Sequence, residues 1–265
     1  ANGVVLITTK RGQVGKMSMN YSGSVTVENL EDKSPAMSAS DYITWRRWAY
    51  YNSDPTRNPL GNQPNQVKDQ SYFSGDDYAL ANVNRGWESG QWDGSKVQDT
   101  DWGALVTRTG ITNEHTLSGS GGTENAQAFF SVGYLNNQGT QRGQDYSRYN
   151  FSMSVDLKLK PWFKMGGSIN GSWSNQDYGY SRTGQSSNSG PTDIYNAAKA
   201  IPRYGVIYDN EGGIINNPCG SVTNVYTVVN EWSKSKDNRE SFRALGSFYG
   251  EFDFGKMWKP LDGLS

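Results

Sequence analysis

Apolar and polar residues alternate with a period of two along much of this chain, the pattern of a β-strand whose two faces meet different surroundings. The clearest run sets Tyr149, Phe151, Met153, Val155, Leu157 and Leu159 against Arg148, Asn150, Ser152, Ser154, Asp156 and Lys158. The next sets Phe163, Met165, Gly167, Ile169, Gly171 and Trp173 against Lys164, Gly166, Ser168, Asn170 and Ser172. Met17 to Val27 and Phe242 to Phe254 repeat the alternation, and weaker versions follow near 112–121 and 126–136. The pattern thus predicts strands at about 16–28, 112–121, 126–136, 147–159, 162–174 and 240–254. Strands of globular proteins average about five or six residues, whereas a tilted strand needs about nine to eleven to cross a bilayer. The predicted strands have the membrane length.

The connections support the same architecture. Segment 29–111 is long, 122–125 short, 137–146 medium, 160–161 short, 174–240 long and 255–262 short. Tight turns alternating with extended loops are expected of an up-and-down barrel with short periplasmic turns and longer extracellular loops. Hydrocarbon cannot satisfy stray backbone donors, so such strands must pair in a closed wall, with the Met/Phe/Val/Leu face toward lipid and the Ser/Asn/Asp/Lys face toward a wet or plugged lumen. Tyr134, Tyr149 and Trp173 fall near the outer strand ends, and Trp162, Phe254 and Trp258 near the inner ends. These are the positions of two interfacial aromatic girdles. The predicted fold class is all-β: a fragment of a large antiparallel transmembrane barrel with long outer loops.

Composition narrows the function. Hydrophobic residues make up 34% and charged residues 19%, yet 13% are aromatic, 31 are Gly and the net charge is −1. Disordered chains pair low hydrophobicity with few aromatics and high charge, so this is not one. Near-neutrality without a basic block gives no footprint for nucleic acid. No apolar run is long enough for a membrane-spanning helix. The one Cys (Cys219) and one His (His115) exclude a disulfide framework and a Cys/His zinc cluster within the sequence. Cys219, between Pro218 and Gly220, reads as a loop thiol. No nucleophile elbow surrounds His115, and the Gly-rich stretches lack phosphate-loop or dinucleotide spacing. Asp76-Asp77 reads as a solvated turn and not as an opposed glycosidase pair. Neither an enzyme nor a cofactor is expected.

Both ends read as cut, which predicts an internal piece of a larger protein. In the first long loop, Asp41 to Tyr51 is predicted as a helix capped by Ser38 or Ser40 and ended before Pro55, Pro59 and Pro64. A short helix is expected near Asp193–Ala200. Trp45 and Trp48, three residues apart, are read as loop core. Aromatic platforms beside directional polar groups suit a glycan or peptide, so Trp87, Trp92, Trp102, Tyr178 and Tyr180 are the outer-loop binding candidates.

Residues 1–12, Ala-Asn-Gly-Val-Val-Leu-Ile-Thr-Thr-Lys-Arg-Gly, closely resemble the end of the plug domain in TonB-linked outer-membrane transporters of the SusC/RagA type. Gly3, Thr8, Thr9, Lys10, Arg11 and Gly12 carry that motif. Thr116-Leu117-Ser118-Gly119-Ser120-Gly121-Gly122-Thr123 is similar to the family's Leu-Ser-x-Ser-Gly-Gly-Thr turn. Phe130 to Asn136 resembles its Ser-x-Gly-Tyr-Leu strand, and Arg148-Tyr149 the following Arg-Tyr strand. A looser match runs from Ala197-Ala198 through Ile201-Pro202 to Tyr208-Asp209-Asn210-Glu211-Gly212-Gly213. The resemblance implies that residues 1–15 end a plug and residues 16–265 begin a barrel of about 22 strands. It also implies import of an oligosaccharide, or secondarily a peptide, at the outer membrane of a Gram-negative bacterium. The implied partners are a SusD-type surface lipoprotein, the TonB complex and outer-membrane lipid. The rival expectations are a secreted all-β glycoside hydrolase or carbohydrate-binding module, and a passive porin or adhesin.

Overall fold

In a computed structural model that describes residues 10–31, 35–179, 194–215, 217–220 and 237–257, the chain builds one six-stranded sheet, with helices in its two long connections. The strands are β1 (Gly15–Glu28), β2 (Gly110–Gly122), β3 (Ala126–Gln138), β4 (Gln144–Lys160), β5 (Phe163–Tyr178) and β6 (Asn238–Phe252). Each pairs antiparallel with the next in chain order, and no connection crosses over. β4 is 17 residues long and β5 is 16, far beyond a globular strand.

The register turns sequence alternation into two continuous surfaces. One row across the sheet reads Met19, Gly119, Phe130, Met153, Ile169, Gly246; the row beside it on the other face reads Asn20, Ser118, Ser131, Ser152, Asn170, Leu245. Met19, Met153 and Phe248 are 62%, 54% and 80% exposed, so no second protein layer covers the apolar face among the described residues. Shape is regulated within that face. A Cβ at Gly119, Gly171 or Gly167 would run into the ring of Phe130, Phe151 or Phe248 on the neighbouring strand. Each ring thus lies flat over a glycine, covering backbone that would otherwise be bare.

Aromatic rings gather at both ends of the apolar face. At one end Tyr134, Tyr149 and Trp173 stack in succession, with centroids 4.9 and 5.6 Å apart, and Phe242 pairs with Trp173 in the register. At the other, Trp162, Phe163, Phe252 and Phe254 form a second cluster, Phe163 and Phe252 only 4.5 Å apart. Trp258 lies outside the described residues.

The β3–β4 connection is shorter than expected. The β3–β4 link is the turn 139–143 and not the span 137–146, because Asn137–Tyr146 and Gln138–Asp145 still pair. Arg108 closes this turn. Its guanidinium donates to the Gly139 carbonyl at 2.9 Å and to Asp145 at 2.5 Å, and its backbone N–H donates to Thr140 at 2.8 Å. The strands run on because their turn is fastened by the segment that leads into β2.

Candidate functional site

The two long connections form a common folded cap. The first carries α1 (Ala39–Ser53), α2 (Gln66–Tyr72), α3 (Asp77–Arg85), a 3-10 turn (Gly94–Lys96) and α4 (Trp102–Val106); the second contributes α5 (Ile194–Lys199) and a turn at Pro218–Gly220. A further short helix, α6 (Phe254–Met257), follows β6. Local chemistry starts each cap helix: the Ser38, Asn65, Asp76 and Asp101 side chains accept from first-turn backbone N–H groups of α1 to α4.

Two small cores hold the cap. Ala39, Ile43, Tyr72, Phe73, Ala79, Val83, Val97 and Tyr204 make one; Trp102, Val106, Ile194, Ala197, Ala198 and Ile201 make the other. Both draw residues from both connections. Polar contacts repeat the link: Asn82 Nδ2 donates to the Tyr204 carbonyl at 2.8 Å, Thr100 Oγ1 to Gly205 at 2.7 Å, and Arg203 grips Asp99 at 2.9 and 2.8 Å. Asp209 accepts from the backbone N–H groups of Glu211 and Gly213 within the stretch Asp209-Asn210-Glu211-Gly212-Gly213.

The buried face of α1 overturns the expectation for Trp45 and Trp48. Ala39, Ile43 and Arg47, four residues apart, point inward, while the two indoles are 50% and 46% exposed. The reason is an ion pair. Arg47 donates through Nε and Nη2 to Asp69 of α2 at 2.9 and 2.6 Å, with both side chains almost fully buried. A charge enters the core because its partner is already there, and the helix rotates its indoles outward. The signal was present in sequence as Arg47 and Asp69, but nothing in one strand of text pairs residues 22 apart.

The proposed ligand platforms separate into three places. Trp87 and Trp92 come together, with centroids 5.5 Å apart. Trp87 Nε1 donates to Asp69 Oδ2 at 2.9 Å, and the Arg47 guanidinium sits 4.0 Å over Trp92, so both rings extend the buried ion pair to the surface. Trp102 is 1% exposed and its indole N–H donates to Pro202, which makes it core and removes it from any surface platform. Tyr178 closes β5 with Arg239 5.6 Å over its ring. Tyr180 lies outside the described residues, as do Gly3, Thr8 and Thr9. A cleft that the sequence did not point to lies beside Trp45: about 240 Å³, lined by Met37, Tyr42, Trp45, Lys199, Pro202 and Arg203.

Cys219 sits in its turn at φ 67°, its N–H held by Asp76 at 3.0 Å and its thiol 3.7 Å from the Pro202 carbonyl. Burial pushes the thiol up to about 12, and the Asp76 carboxylate adds to that. Burial likewise holds the Tyr204 phenol well above its ordinary value. Neither is an activated nucleophile. Among the described residues, no group of three or more His, Cys, Asp or Glu side chains is placed to hold a metal ion.

On the polar face, Lys10, Arg11 and Gly12 lie against the wall. Arg11 pairs with Asp156 of β4, and Gly12 is buried against the backbone of Ala128.

No protein-family model matches the chain. Among curated proteins it is 24% identical to TonB-dependent receptor P3 of Formosa agariphila over 269 residues, which cover 100% of this chain and 22% of that receptor. It is also 24% identical to TonB-dependent receptor SusC of Bacteroides thetaiotaomicron over 156 residues, covering 58% of this chain and 12% of that protein. The chain therefore spans about a fifth or less of the length of these relatives. Among solved structures, the RagAB peptide importer in its open-open state matches with a TM-score of 0.57 and 19% identity, over 92% of this chain and 27% of that one. The closed-closed state of RagAB matches with a TM-score of 0.56.

Proposed function

We propose that this chain, of the SusC/RagA type of TonB-dependent transporter in sequence and fold, forms part of the wall and outer cap of a barrel that imports a nutrient across the outer membrane of a Gram-negative bacterium. One observation carries the reading. A single meander offers bare Met, Phe and Ile on one face, between two aromatic belts, and hydroxyl and amide groups on the other. Water would not tolerate the first face on a soluble hydrolase or binding module, and a contiguous apolar face of this kind marks contact with something other than water. Lipid accepts it.

Residues 1–15 end the plug and residues 16–265 begin the barrel, a division supported by the contact of Lys10 to Gly12 with the polar face. A plug distinguishes an importer from a passive porin. The work is binding and gating with no covalent step. A SusD-type lipoprotein over the outer mouth and the TonB complex beneath are the partners, the first supported by the likeness to the two-component RagAB assembly.

Oligosaccharide is the leading cargo, bound by indoles of the cap: the half-buried Trp87–Trp92 pair, and the exposed Trp45 at its cleft. Peptide is the second reading, favoured by the likeness to a peptide importer. Titration of the full-length protein with defined oligosaccharides and peptides decides between them. Saturable binding of oligosaccharide, weakened about tenfold or more by Trp45→Ala or Trp87→Ala, supports the first. Binding of peptides alone supports the second.

A further inference from the structure

Among the described residues, the segment leading into β1 is fastened to the lumen wall at one charged point. The Arg11 guanidinium pairs with the Asp156 carboxylate of β4. The same oxygen, Asp156 Oδ1, accepts from the Tyr249 hydroxyl of β6 at 2.8 Å, and Arg11 lies 5.3 Å over the Tyr249 ring. Asp156 and Tyr249 belong to strands separated by β5, and the register sets Gly166 between them. A Cβ at Gly166 would collide with both side chains, so this glycine lets them meet across the intervening strand. On either side of Arg11, Ser154 Oγ donates to the Lys10 carbonyl at 3.5 Å, and Gly12 rests on backbone where a Cβ would not fit.

The wall next to this clamp has a different character. The adjoining row of the register reads Ser18, Ser120, Phe129, Ser154, Ser168, Ser247, and the next reads Asn20, Ser118, Ser131, Ser152, Asn170, Leu245. Neither row carries a formal charge. Neutral hydroxyl and amide contacts exchange for water at small net cost, whereas a charge-assisted pair is about twice as strong.

We propose that Asp156 is the positioning residue that anchors the plug's last segment, with Tyr249 holding its carboxylate. This pair holds Arg11 and the residues after it on the wall, beside rows that carry no formal charge. The proposal rests on the plug reading given above.

Ion conductance of the full-length transporter in planar bilayers tests it. Asp156→Asn and Arg11→Gln should each conduct about tenfold more often than the sealed wild type, and Tyr249→Phe less so. The reversed pair, Arg11→Asp with Asp156→Arg, should restore the seal, which a merely structural role would not do. Asp156→Glu, which keeps the charge, should stay sealed and serves where a neutral variant fails to assemble. Single variants as tight as the wild type, or a reversed pair that leaks like the singles, would overturn the anchor alone. A wild type that already conducts freely would overturn the plug reading and the anchor with it.

Discussion

The cap and the wall are made from one chain by opposite rules. The cap has a buried interior: Ile43, Phe73, Val83, Trp102, Ile194 and Tyr204 are at most 1% exposed, and even the Arg47–Asp69 pair is inside. The wall displays large side chains, and among its strand residues only Ser154 and Ser168 are buried side chains of polar type. A protein surrounded by water would not build both. The cap follows the hydrophobic effect in water, where apolar area drives collapse. The wall follows a solvent that is itself apolar, where what must be satisfied is the backbone, and the five antiparallel ladders do that. Stability in the cap therefore depends on interior packing and ion pairing. In the wall it depends on register and on which face a charge is placed.

The sharpest way to break this contrast is inside the cap. Asp69→Ala strands the Arg47 guanidinium and removes the acceptor of Trp87, so the cap should lose about 3–5 kcal/mol while the sheet keeps its pairing. Hydrogen exchange on the full-length protein reads both regions at once. Loss of protection in α1 and α2 with β2 to β5 unchanged is the expected outcome; uniform loss would mean that the two regions do not fold by separate rules. Next in size is a charge on the wall. Met153→Arg should cost about 2–4 kcal/mol near mid-bilayer and Ser152→Arg, its neighbour on the other face, far less, measured by reversible unfolding in lipid. Equal costs would erase the distinction between faces.

Removing the N-cap of α1 is milder: Ser38→Ala should destabilise the helix by about 1 kcal/mol, through the lost acceptor for the Asp41 N–H. A further effect is chemical. A buried thiol raised to about 12 is almost wholly protonated at pH 8, so alkylation of Cys219 should be about a thousandfold slower than in the unfolded chain, where thiols titrate near 8.5. The same shift has a stability consequence. The folded value lies above the unfolded one, so the contribution is complete below about pH 8.5 and fades as pH rises toward 12. The cap should open more easily across that alkaline range. Prompt labelling at pH 8 would show that the turn around Cys219 is open in solution.

Strand identity and facing were legible in the sequence because a period of two is local and lipid on one side makes it strict. The weaker runs at β2 and β3 were visible only in part, since Gly119 and Gly133 interrupt the alternation with backbone that a neighbouring strand's side chain covers. The cap was poorly legible for a related reason. Its specificity lies in long-range pairs such as Arg47–Asp69, Asn82–Tyr204 and Arg203–Asp99, which leave no periodic trace. That is why Trp45 and Trp48 looked inward from their spacing and face outward in the structure, and why Trp102, read as a platform, turns out to be core. The Trp87–Trp92 pairing was foreseeable only as composition. Its geometry comes from the ion pair beneath it.

The most direct test of the central claim is spin-label accessibility at each position from Tyr149 to Leu159, in the full-length protein in bilayers, with oxygen as the apolar probe and a nickel chelate as the aqueous one. Labels at Tyr149, Phe151, Met153, Val155 and Leu157 should respond to oxygen and ignore nickel, while those between them do not respond to oxygen. Odd positions shielded from both probes would mean that protein covers that face, and the account would fail.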